Sequence, residues 1–149
     1  VMPHVAAVDI ELSAQEIAEA VVTEAHAAGC LVLGSFHDFA RVPSPEDLET
    51  IMARGRDLGV DIVKVAAQCD TRADVRALAR FALDHARDNV VVIGMGKEGR
   101  LSRVLFPALG SLLTYTFLGE PTAPGQLNCG DTLAYLMGLY PELGAGRYL

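Results

Sequence analysis

The sequence has 149 residues, 51% of them apolar and 21% charged, with a formal net charge of −7. That is enough chain for one domain with a hydrophobic core, and its balance excludes a disordered or fibrous protein. The negative charge argues against a nucleic-acid or anionic-membrane partner, although an acidic surface can still carry a local basic pocket for an anionic small molecule.

The elements alternate strand and helix every 25 to 30 residues or so, as βα units do. The first strand is expected over His4–Leu12. Ser13 to Glu16 then reads as a capping box, opening a helix to about Ala28 that Gly29 stops. The second strand is Cys30 to Phe36. Ser44, Pro45, Glu46 and Asp47 supply an N-cap, a proline at N1 and acids in the first turn of a helix that ends near Leu58 with Gly59 as its cap. A third strand, Val60–Ala66, precedes a helix over roughly Arg72–Arg87. The fourth strand, Asn89–Ile93, is a bare apolar run suited to a parallel strand buried on both faces. A glycine-rich loop and a short helix follow, then a fifth strand near Ser111–Leu118 and a last helix from about Asp131 to just before Pro141. No linker divides the chain, so residues 1–149 read as one parallel α/β domain of about five βα units. Five such units form an open sheet but cannot close an eight-stranded barrel alone.

Cys30, Cys69 and Cys129 are odd in number and form no CxxC, which points to reduced thiols in a cytoplasmic protein rather than a disulfide framework or zinc ribbon. No signal peptide is expected, and no apolar run reaches the ~18 residues that span a bilayer. The chain opens at Val1 directly before an apolar stretch, which suggests an unusual start codon or a beginning inside a larger domain.

Ligands of parallel α/β folds bind at the C-terminal ends of the strands. The first strand delivers Glu11 there, although a solvated loop acid is as ordinary a reading. The second delivers His37, on the same face as Leu33 and Ser35 by parity. A histidine so placed can be a general base, while a satisfied structural histidine is the commoner outcome for the residue alone. The third is the most informative. Lys64 stands inside an apolar strand, on the face of Ile62 and Ala66. Lysine is rarely buried without a reason. Desolvation disfavours an ammonium and frees the neutral amine that a Schiff-base nucleophile needs; a lysine that snorkels to water is the alternative.

After the fourth strand, Gly94, Gly96 and Gly99 fit GxGxxG, a dinucleotide fingerprint that belongs on a first strand rather than a fourth. Arg100 and Arg103, at a helix start, offer an anion site instead. The loop after the fifth strand, Pro121 to Gln126, carries Thr122 and Gln126 as hydrogen-bonding groups, or is an ordinary surface turn.

These segments together resemble one family. Ser35-Phe36-His37-Asp38-Phe39 is similar to the S-x-H-D-F motif of type I 3-dehydroquinate dehydratases, and Asp61-Ile62-Val63-Lys64-Val65-Ala66 to their D-I-x-K-x-A. Met95-Gly96 with Gly99, Ser102 and Arg103 resembles M-G-x-x-G-x-x-S-R. Gly110-Ser111 matches G-S, Ala123-Pro124-Gly125-Gln126 matches A-P-G-Q, and Asp9-Ile10-Glu11-Leu12 matches D-x-E-L. The six occur in order over nearly the whole chain.

The resemblance implies a (β/α)8 TIM-barrel fold, here partial, and a lyase of the shikimate pathway, which feeds aromatic amino acid biosynthesis. Lys64 would form an imine with the ketone of 3-dehydroquinate. His37 would remove the adjacent proton and return it to the departing hydroxyl, oriented by Glu11. Arg103 would clamp the substrate carboxylate, Gln126 would bind its hydroxyl side, and Thr122 would stand in the loop that closes over it. No metal or organic cofactor is implied. The family usually has Ser where Thr122 stands; the hydroxyl is kept. Its first three strands have no counterpart here, so the expected partner is a second copy, giving a homodimer, or a separate N-terminal fragment. Two further readings stand beside the lyase: a truncated, non-catalytic paralogue serving as an assembly or regulatory module, and, more distantly, a dinucleotide-binding α/β domain.

Overall fold

The computed structural model describes residues 4–123 and 125–141. Four parallel strands form one sheet in sequence order: β1 (Ala7–Glu11), β2 (Leu31–Asp38), β3 (Ile62–Gln68) and β4 (Val90–Met95). Between them run α1 (Gln15–Ala27), α2 (Pro45–Leu58) and α3 (Arg72–Asp84). After β4 come two single turns, α4 (Gly96–Gly99) and α5 (Ser102–Leu105), a 3-10 turn at Phe106–Leu109, and finally α6 (Cys129–Leu139). Among the described residues no helix is long and apolar enough to cross a membrane.

Alternation along the strands separates two faces. Val63, Val65, Ala67, Val90 and Val92 point to the helix side, where Leu48, Ile51, Met52, Leu78, Phe81 and Phe106 complete the main core. Gly55 lets α2 lie flat on β3, because a Cβ there would run into Val63. Val22 and Ala25 of α1 form a smaller cluster with Cys30 and Val32. The opposite face carries Ala66, Val91, Ile93 and Met95 at its β4 end and polar side chains toward β1.

The helix ends follow local chemistry with one exception. The Ser44 hydroxyl accepts from the Asp47 amide at the start of α2, and Gly59 closes that helix at φ 75°. Thr71 and Asp74 make a reciprocal capping box on α3, a cap the sequence reading did not name. The box expected at Ser13 does not form. The Ser13 carbonyl instead accepts from Gln15, so the N-cap falls on Ala14 with no side-chain cap. Burial of Ala18, Val22 and Ala25 holds this helix in place instead. Helix α3 stops at Asp84, short of Arg87, and Asn89 takes a left-handed turn (φ 51°) before β4 rather than opening the strand. Helix α6 begins two residues earlier than expected, at Cys129, because the Asn128 side chain caps it by accepting from the Asp131 amide.

The fifth strand is the main correction. Residues 111–118 enter beside β4, where the Leu112 amide donates to the Val90 carbonyl. At the next ladder position the Val92 amide donates to the Ser111 hydroxyl, not to backbone. The chain then turns to α5: Thr114 Oγ1 donates to the Arg103 carbonyl at 2.8 Å, and Arg103 Nη1 to the Tyr115 carbonyl at 3.1 Å. With its polar groups satisfied there, the segment makes only an isolated bridge, Phe117 to Asn128. The apolar pattern that suggested a strand instead places Tyr115 on the sheet.

His85 ties the helix layer together. It is buried at the end of α3, with Nε2 2.8 Å from Glu49 and Nδ1 2.7 Å from Asp88. Burial disfavours its charge, but hydrogen bonds and charge from Glu49 and Asp88 outweigh this and raise its pKa above the usual histidine value. The Asp88 carboxyl is pulled down, chiefly by its bond to His85. A raised histidine stabilises the fold fully below the ordinary histidine pKa and loses that contribution as pH climbs through the folded value; Asp88 loses its own only in strong acid. Thermal melts from pH 5 to 9 should therefore show Tm falling toward alkaline pH in the wild type. The His85→Gln variant should be less stable at pH 5 and lack most of that slope. An unchanged slope in the variant would rule out His85 as its source.

Candidate active site

Sheet register places the polar groups before any side chain is considered. Glu11 pairs with Ser35, Ser35 with Lys64 and Lys64 with Val91, so these four lie in one row across the sheet. Asp9, Leu33 and Ile62 form the row below; His37, Ala66 and Ile93 form the row above. All share one parity and therefore the face away from the helices.

Lys64 lies in the middle of this face with only 10% of its side chain exposed. Its Nζ donates to Asp9 Oδ2 at 2.8 Å and sits 4.8 Å from the centroid of the Tyr115 ring. A carboxylate on one side and an aromatic face nearby compensate for water the ammonium has lost. In the sequence Asp9 figured only as part of the D-x-E-L match, with no role, and Tyr115 was not singled out. The signal for Asp9 was its i, i+2 spacing from Glu11 on an apolar strand.

His37 Nδ1 lies 2.7 Å from Glu11 Oε2, and the Ser35 hydroxyl donates to the same oxygen at 3.3 Å. An ionised carboxylate only accepts, so Nδ1 carries the hydrogen. In the neutral ring this leaves Nε2 as the basic nitrogen. Phe39 stacks on His37 with the rings 9° from parallel, their centroids 5.9 Å apart.

Arg103 is 3% exposed, and burial alone lowers its guanidinium below the ordinary value, which still leaves it charged. Its position depends on the turn before it. Ser102, fully buried, accepts from the Gly94 amide at 2.8 Å and donates to the Gly99 carbonyl at 2.7 Å. Gly94 and Gly99 touch backbone to backbone, and a Cβ on Gly94 would stand 2.9 Å from the Gly99 Cα. Gly94 and Gly99 of the GxGxxG string are thus engaged in packing α4 against β4, and the Gly94 amide is already bonded.

In the last loop, Gln126 Oε1 accepts from the Thr122 amide at 2.7 Å, from the Thr122 hydroxyl at 3.1 Å and from the Ala123 amide at 3.1 Å. Two of these donors are backbone N–H groups, which fixes the orientation of the side-chain amide. The oxygen locks the loop, and the NH2 is the group Gln126 has left for other partners. Pro124 lies outside the described residues.

These groups converge on a cleft of about 260 Å³, lined by His37, Lys64, Arg103, Thr122 and Gln126 together with Met95. Five of the six residues expected from the sequence are therefore on one wall set, and the sixth, Glu11, stands behind His37. A wider cleft of about 480 Å³ between α2 and α3, lined by Pro43, Leu48 and Phe81 among others, holds no comparable set. A buried amine, a carboxylate-oriented imidazole and a buried guanidinium around one opening can form an imine, move a proton and hold an anion.

The sequence profile of type I 3-dehydroquinase matches residues 1–139. The chain belongs to that family. It is 41% identical over 100 residues to the 3-dehydroquinate dehydratase of Thermodesulfovibrio yellowstonii, covering 67% of this chain and 44% of the relative. With that of Methanosarcina barkeri the identity is 42% over 130 residues, covering 84% and 54%. The crystal structure of the Geobacillus kaustophilus 3-dehydroquinate dehydratase superposes with a TM-score of 0.86 at 26% identity, over 93% of this chain and 56% of that one. The type I enzyme of Clostridium difficile, solved with covalently modified comenic acid, gives 0.85 at 27% identity, over 94% and 57%. The chain spans about half the length of the curated relatives it matches. Its four parallel strands and outer helices are thus an arc of this family's barrel fold.

The Ser102 turn sets the position of Arg103 in the cleft wall. Replacing Ser102 with Ala strands the buried Gly94 amide, which should cost about 1–3 kcal/mol of stability. Urea unfolding measures this directly. A loss under ~0.5 kcal/mol would mean that the Gly94–Gly99 contact, not the hydroxyl, holds the turn.

Proposed function

We propose that the chain carries the imine-forming half of a 3-dehydroquinate dehydratase, which converts 3-dehydroquinate to 3-dehydroshikimate and water in the shikimate pathway. The observation that carries the reading is the shared cleft, where Lys64, His37 and Arg103 open onto one space of about 260 Å³. Lys64 Nζ attacks the substrate ketone, and the carbonyl oxygen leaves as water. The protonated imine draws electrons from the adjacent carbon. His37 Nε2 takes that carbon's proton and returns it to the departing hydroxyl, while Glu11 holds the ring through Nδ1; water then hydrolyses the product imine, releasing 3-dehydroshikimate and the Lys64 amine. Arg103 binds the substrate carboxylate. Gln126 through its NH2, and Thr122, face the hydroxyl side. No metal or organic cofactor enters these steps.

Residues 1–149 act as a single partial domain in this reading, in the cytoplasm. The outer edge of β1 has no strand beside it among the described residues, and α6 leaves Leu133, Tyr135, Met137 and Leu139 about half exposed. A second copy of the chain, or a separate N-terminal βα fragment, completes the site against these surfaces. Light scattering should give a mass above the 15.9 kDa of one chain, or show association with that fragment.

The direct test is borohydride trapping with 3-dehydroquinate, read by intact mass and peptide mapping. The expected result is one adduct, on Lys64, absent from Lys64→Arg. A folded chain that gives no adduct would favour a non-catalytic assembly module instead.

A further inference from the structure

The charge beside Lys64 is already matched before any substrate arrives, and the proposed chemistry does not change that charge. A lysine ammonium and a ketone give a protonated imine and water. Two hydrogens leave Nζ with the carbonyl oxygen, one stays on the nitrogen, and the single positive charge persists. Any carboxylate that satisfies the ammonium can therefore satisfy the imine without moving away.

We infer that Asp9 is the counter-ion of the reacting nitrogen: its carboxylate neutralises the Lys64 ammonium at rest and then accepts the one N–H that the protonated imine keeps. The inference rests on the Schiff-base reading of this cleft. Asp9 Oδ2 is 2.8 Å from Nζ and is the only carboxylate oxygen among the described residues that contacts it. Glu11, the other acid on β1, is committed to His37 and Ser35 through Oε2. The remaining charged or titratable groups at this face are His37 on β2, Arg103 on α5 and Tyr115 beside the sheet, and none of them is a carboxylate. Asp9 lies one row below Lys64, beneath the cleft rather than in its wall. It can stay paired while substrate enters from above. Its purpose is to keep the imine protonated, since the neutral imine is a far weaker electron sink.

The sign of the effect follows from the charge. Removing a carboxylate next to a cation disfavours the cation, so without Asp9 the imine loses its proton at lower pH. Cyanoborohydride reduces the protonated imine selectively, so the trapping rate of the full chain with 3-dehydroquinate reads that proton against pH. The wild type should hold its rate into the alkaline range. In Asp9→Asn the alkaline fall should move down by about one pH unit or more, and Asp9→Glu should restore most of the wild-type profile. Asp9→Ala, checked for folding by circular dichroism, supplies the same reading should the Asn variant not fold. An adduct in the wild type with an unmoved profile in both Asp9→Asn and Asp9→Ala would overturn the counter-ion role alone. No Lys64 adduct in the wild type would overturn the proposed function and this inference with it.

Discussion

A charged amine on the inner face of a parallel sheet must be compensated, and the arrangement of this site follows from that requirement. Leaving an ammonium unpaired in a low-dielectric interior costs several kcal/mol. Lys64 is compensated by Asp9 from β1 and by the ring of Tyr115 from the segment after β4. These partners come from opposite ends of the sheet. The lysine therefore links the first strand to the chain beyond the last, through a single nitrogen atom. Glu11 and Asp9 divide the work along one strand: the upper acid holds the imidazole and the lower one holds the amine.

The second constraint is the buried guanidinium. Arg103 is carried on a four-residue turn too short to hold itself, so the surrounding backbone supplies the rigidity. Ser102 fixes the turn to the end of β4, and the Thr114–Arg103 and Arg103–Tyr115 bonds fix it to the following segment. The same bonds that hold the arginine withdraw residues 114–115 from the sheet. The loss of a regular fifth strand and the placement of Tyr115 beside Lys64 are thus one event. A regular ladder would have satisfied the same backbone groups, at the expense of the bonds that now hold Arg103.

Much of this was legible in the sequence, for identifiable reasons. The four strands and the main helices followed from hydrophobic pattern and from residues with local effects, such as Ser44, Pro45 and Gly59. Lys64 stood out because a lysine inside an apolar strand contradicts its surroundings. What remained hidden depended on contacts distant in sequence. The partnership of Asp9 with Lys64 spans 55 residues, and an acid on a strand does not announce its partner. The failure of the Ser13 capping box turned on a backbone bond to the Ser13 carbonyl. The fifth strand failed because a serine hydroxyl and an arginine side chain offered its backbone other partners. Gln126 had the right residue type, but only geometry separates the oxygen that locks its loop from the NH2 that remains.

Burial across the site is uneven, and its more exposed side is the β1 edge. The Lys64 side chain is 10% exposed, while those of Asp9 and Glu11 are 38% and 36% exposed. Both acids belong to the edge strand, so the negative half of the Lys64 pair is its solvated half, while in the other pair His37 and Glu11 are both partly exposed. Water screens a charge pair through its more exposed member, and the strength of both pairs rises as the local dielectric falls. A partner laid along β1 would cover these carboxylates without touching the cleft itself. Each pair would tighten, drawing Lys64 toward Asp9 and fixing the His37 ring on Glu11. Completion of the sheet and the tightening of these two pairs would then be a single physical step, because the acids that hold Lys64 and His37 are also residues of the open edge.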